Sequence, residues 1–195
     1  MAKRDQEKSE QRRTVREQRR EAQRKQAARR QRRRALIWGA VALALVGVIG
    51  WVAASSLRQP GDRITTLGRL HITQGTPHKG YNSNPPTSGP HWPSPAPWGV
   101  HTQPLPDEML VHNLEHGGVW ISYKDQNDSD LAGKLDDIAG RYQSKVIVTP
   151  RPQNDAPIAV AAWGRLLKLQ RFDEARIFEF INRYRGKIGP EPNAP

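Results

Sequence analysis

Cysteine is absent from the 195-residue chain, which excludes disulfides, thiolate metal sites, iron–sulfur clusters and cysteine nucleophiles. Its absence also removes the compositional clue to redox compartment, so location must be read from topology. Phosphate-cradling glycine patterns are missing too, both the P-loop and the dinucleotide fingerprint. No G-x-S-x-G elbow surrounds Ser83, Ser88 or Ser94, which leaves these serines without the context of a serine hydrolase. Acidic residues are scarce in one region only. Residues 1–34 hold 15 Lys/Arg against 5 Asp/Glu, whereas residues 58–195 hold 16 against 14. The formal charge of +12 therefore belongs to a tail. A basic composition gives no case for nucleic-acid binding by the folded part.

What the N-terminal region does contain is one long apolar run. Residues 35–57, Ala35 to Leu57, are 23 residues without a charge. At about 1.5 Å per residue they extend roughly 34 Å, enough to cross a hydrocarbon core of about 30 Å. Trp38 and Trp51 lie near its two ends, where aromatic rings favour the interface. Arg32-Arg33-Arg34 precede the run and only Arg58 and Arg63 follow closely. The positive-inside rule then places the N-terminus in the cytoplasm and residues 58–195 outside the plasma membrane. Val52-Ala53-Ala54 loosely suits a signal peptidase, but the leader and the apolar run are both longer than a cleaved signal usually shows. The expected organisation is a basic arm (1–34), a transmembrane helix (35–57), a linker (58–64), an extracytoplasmic domain (65–190) and a tail (191–195). The arm, residues 2–34, has too few apolar side chains for a core. It reads as a topology determinant whose natural contact is anionic lipid headgroups rather than nucleic acid.

From Pro60 to Pro106 the chain is rich in Pro, Gly, Ser, Asn and Thr. The run Pro85–Gly99 forbids helix and central strand, because proline fixes φ and lacks the N–H. Interleaved Tyr81, Trp92 and Trp98 argue that this stretch packs as an ordered loop. Regular patterns follow it. Asp107–His116 suits a short helix ended by Gly117, and Val119–Tyr123 suits a strand. Asp128 or Ser129 caps a helix with Leu131, Leu135, Ile138 and Tyr142 at helical spacing. Lys145–Thr149 and Ile158–Trp163 read as buried strands, with Arg165–Leu169 extending the second or pairing with it. Asp173 opens a last helix with Ile177, Phe178, Ile181 and Tyr184 on one face. The fold class is α+β: short strands, two or three helices and a Pro-rich ordered loop behind a single N-terminal transmembrane helix.

All six histidines fall between His71 and His116. His112 and His116, four apart, project from one face of a helix, the spacing of a two-histidine metal pair. His91 and His101 in the flanking loop, Met109 three residues before His112, and Glu115 are the further candidates. Histidine with a thioether and no thiolate suits copper; zinc accepts histidine and glutamate. The same rings also serve a loop without metal, each bonded to backbone carbonyls and amides. His112-Asn113-Leu114-Glu115-His116 matches the H-x-x-E-H pattern of zinc peptidases, in which two histidines hold zinc and the Glu activates water. Gly117-Gly118 cut that helix immediately, and no third ligand is evident downstream. Tyr81, Trp92 and Trp98 offer a surface for a glycan or an envelope protein.

Two stretches carry a resemblance. Tyr81-Asn82-Ser83-Asn84-Pro85-Pro86-Thr87-Ser88-Gly89-Pro90-His91 and Leu110-Val111-His112-Asn113-Leu114-Glu115-His116-Gly117-Gly118-Val119 resemble the signature of a bacterial family catalogued as domain of unknown function 3105. The similarity continues through Ala161-Ala162-Trp163-Gly164 and Tyr184-Arg185-Gly186 and covers roughly residues 65–190. The resemblance implies a membrane-anchored extracytoplasmic domain and brings no established activity or cofactor. The functional expectation is a His-rich binding module for copper or zinc. Its alternatives are a metal-free domain that binds an envelope partner through the Pro/Trp face and a zinc peptidase.

Overall fold

The computed structural model describes residues 30, 31, 33, 34, 36–50, 52 and 59–195. Residues 36–50 are helical. Among the described residues no helix is long and apolar enough to cross a membrane. The expected span 35–57 and the basic arm both lie partly outside the described residues. Residues 59–195 form a compact unit of their own.

That unit is α+β. A six-stranded mixed sheet runs in the order β1-β6-β5-β3-β4-β2. Its strands are β1 (Asp62–Arg63), β2 (Gly99–Val100), β3 (Val119–Tyr123), β4 (Val146–Pro150), β5 (Ile158–Ala162) and β6 (Arg165–Leu169). The helices are α1 (Asp107–Glu115), α2 (Ser129–Ala139) and α3 (Glu174–Tyr184). β3 and β4 are parallel because α2 crosses between them, whereas β3, β5 and β6 pair antiparallel. Trp163-Gly164 closes the β5–β6 hairpin, with Gly164 at φ +66, the left-handed region that a two-residue turn requires.

Every residue of β3, β4 and β5 is buried, as expected of a sheet covered on both faces. Alternation divides the side chains between two cores. Val119, Ile121, Val148 and Val160 meet α2 and α3 through Leu135, Ile138, Ile177 and Phe180. Trp120, Ile147, Ala159 and Ala161 meet Leu110 and Leu114 of α1 on the other face. In α3 the buried stripe is Ile177, Phe180, Ile181 and Tyr184. This corrects the expectation for Phe178, which is half-buried with its ring 4.6 Å from the Arg141 guanidinium.

The Pro-rich segment is ordered against the α1 face and adds short strands to both sheet edges. Three polar anchors hold it. Asn113 on α1 accepts from the Ala96 amide (2.9 Å) and donates to the Ala96 carbonyl (2.8 Å). Arg151, just after β4, donates twice to Asp107 (2.8 and 2.7 Å) and also to Asn84 and Asn154. Tyr81 donates to the Pro90 carbonyl at 2.7 Å.

Candidate metal centre

α1 begins with Asp107 and Glu108, acids that complement its dipole, and ends where Gly117 turns at φ +76. Its last turn carries His112 and Glu115, three residues apart and hence neighbours on the helix surface. The other two members come from the Pro-rich segment. Residues 71 and 91 form an isolated parallel bridge, with the Ile72 amide donating to the His91 carbonyl (2.8 Å) and the His91 amide to the Leu70 carbonyl (3.0 Å). One ligand atom each from His71, His91, His112 and Glu115 then lies within 4.8 Å of the others. His91 is 0% exposed, Glu115 1% and His112 5%, while His71 is open to solvent.

Hydrogen bonding fixes which atoms face inward. A carbonyl oxygen only accepts, so Nδ1–H of His91 donates to Gly89 (2.7 Å) and Nδ1–H of His112 donates to Trp92 (2.6 Å). The Nε2 of His91 is turned to Glu115 and that of His112 to His116; a backbone carbonyl on Nδ1 is the arrangement that sets the tautomer of a metal-binding histidine. Glu115 Oε2 lies 2.9 Å from His91 Nε2 and 3.1 Å from His71 Nε2. Its second oxygen, Oε1, is buried with no hydrogen-bond partner, which costs about 1–3 kcal/mol or more for a charged group. Burial pushes the Glu115 carboxyl up, but the bonds and charges of His91 and His71 outweigh it and hold the group below the ordinary carboxylate value. Burial lowers His112, helped by the charges of His116 and His91 and opposed by the Trp92 bond and Glu115. Both shifts favour the deprotonated forms of Glu115 and His112.

The expected candidates are placed as follows. His91, His112 and Glu115 meet in this group, joined by His71, which the sequence reading left out of the metal set. The trace of His71 in the sequence is the apolar–His–apolar alternation Leu70-His71-Ile72, too short to announce a strand. His116 lies outside the group of four. Its Nε2 is 3.1 Å from His112 Nε2, and it also approaches Glu191 (3.9 Å). His101 stands apart beside β2 and donates to the Pro97 carbonyl at 2.8 Å. Met109 packs against the α1-side core and lines an open cleft of about 450 Å³ with Trp92 and Pro106. Trp98 packs against the same core, and Tyr81 is committed to Pro90.

The donor set suits a metal ion. Tetrahedral ligands about 2.1 Å from zinc stand about 3.4 Å apart, close to the 2.9 and 3.1 Å already present around Glu115 Oε2. The unpaired Oε1 supplies a further oxygen donor. The H-x-x-E-H pattern is realised differently from a peptidase helix, because Glu115 sits among three histidines while His116 stays outside their group. No curated protein and no solved structure matches the chain. The model of one family does match, from residue 71 to residue 195, and this stretch holds the whole histidine group. The chain belongs to that family, described as Protein of unknown function (DUF3105).

Proposed function

We propose that residues 59–195 are a metal-binding module holding one divalent first-row ion through His71, His91, His112 and Glu115. The observation that carries this reading is the convergence of one ligand atom each from His71, His91, His112 and Glu115 within 4.8 Å, with Nδ1 of His91 and of His112 tied to carbonyls and Glu115 Oε1 buried without a partner. An imidazole–carboxylate set without thiolate favours zinc or copper(II), and it gives copper(I) no soft donor. The module is anchored by a single span at residues 35–57 with the N-terminus in the cytoplasm. That topology is supported by the uncharged run and the Lys/Arg asymmetry of the sequence.

The test is metal content by elemental mass spectrometry. The full chain in detergent is stripped with chelator, reloaded with zinc or copper(II) and desalted. Close to one equivalent is expected for wild type and for His101→Ala, and a small fraction of that for His91→Ala and His112→Ala. If neither ion is retained by wild type, the histidines only hold the loop.

A further inference from the structure

A separate feature lies on the β1–β6 edge of the sheet. Arg63 and Arg165 are directly opposite each other in that antiparallel pair. Opposed cross-strand residues share one face at about 4.5–5.5 Å between Cβ atoms, and like charges there repel. Among the described residues neither guanidinium has a carboxylate partner. The contact Arg165 does make is with the Tyr184 ring, 5.6 Å away. Both arginines line a cleft of about 530 Å³ together with Thr65, Thr66 and Trp163, and no acid lines it. A neighbouring cleft shares Arg165 and adds Arg183 and Lys187. Asp62 precedes Arg63 on β1, and strand alternation sends its side chain to the other face. Glu179, which acts on Tyr184, is the acid that opposes this charge from α3.

The geometry points to an oxyanion site in which a phosphate-bearing group bridges Arg63 and Arg165, with the hydroxyls of Thr65 and Thr66 at its rim. Two guanidinium forks present parallel N–H donors that match the several oxygens of a phosphate, and the anion removes the repulsion between them. The flanking Arg183 and Lys187 extend the attraction to a group carrying more than one negative oxygen. Inorganic phosphate and a phospholipid headgroup offer the same chemistry.

Arginine footprinting with phenylglyoxal, read by peptide mass spectrometry, tests this on the full chain. Chelator is present throughout, so the histidine group plays no part. The baseline is the chain in maltoside micelles, which contain no phosphate. One arm titrates inorganic phosphate, and the other adds phosphatidylglycerol to the micelles. Arg63 and Arg165 should be modified several-fold more slowly in at least one arm, with Arg171 unaffected. Protection by phosphate shows that the free anion suffices, and protection by lipid alone identifies the headgroup. Unchanged rates in both arms, or equal slowing of every arginine, overturn the site. Arg63→Gln supplies the second readout. It removes the repulsion, so the variant should melt no lower than wild type while Arg165 loses its protection; Arg165 protected as in wild type would refute the bridging geometry.

Discussion

Glu115 and His112 show how single residues are tuned by opposing effects. Burial drives the Glu115 carboxyl upward, and His91 and His71 more than reverse it, so its folded value lies below the ordinary 4.5. Burial carries His112 below the ordinary 6.5. A group with a depressed folded value binds more protons unfolded than folded in the interval between the two values, so stability there rises with pH. Both contributions are present at neutral pH and lost on acidification. The His112 share starts to go as the pH falls below 6.5, and the Glu115 share below 4.5. The chelator-treated chain should therefore melt at progressively lower temperature from pH 7 to pH 4, and His112→Ala should remove the upper part of that decline. An identical profile in the variant would show that His112 does not contribute it. His112 was visible in the sequence beside His116 at helical spacing, Glu115 through the H-x-x-E-H pattern, and His91 as the end of a long motif. His71 was not, because a single bridge contact 20 residues from its partner leaves no periodicity to read.

At the scale of elements, the site depends on how the Pro-rich segment is fixed to α1. Proline removes backbone donors, so this segment cannot hold itself by a regular ladder and borrows side chains instead. Asn113 does what a strand partner would, meeting both the N–H and the C=O of Ala96 while fully buried. Asn113→Ala leaves both groups orphaned and should cost about 2–4 kcal/mol. Urea denaturation should show a lower midpoint with an unchanged slope; a midpoint within error of wild type would mean water replaces the amide. The same physics explains what the sequence made legible. β3, β4, β5 and the three helices have apolar runs or helical spacing long enough to reveal them. β1 and β2 have two residues each, below any detectable period, and exist because β6 and β4 offer open edges.

At the scale of the whole molecule, the proposed ligands come from three places in the chain, residues 71, 91 and 112–115. The folded unit brings them together, with His71 and His91 aligned by one bridge and His112 and Glu115 by one helical turn. An unfolded chain would have to close two loops to assemble the same set, so an ion held by all four must favour the folded state. Free metal at a hundredfold excess over its dissociation constant contributes about 2.7 kcal/mol, or about 10 °C in melting temperature for a domain of this size. The charge distribution does not interfere, since residues 58–195 are close to neutral and salt should barely alter the increment. Melting curves of the stripped and loaded full chain should differ by about this amount in wild type and in His101→Ala. In His91→Ala the difference should vanish, because that ring links the loop ligands to those of the helix. An increment that survives in His91→Ala would place the ion elsewhere on the protein, and no increment in wild type would show that the metal does not select the fold.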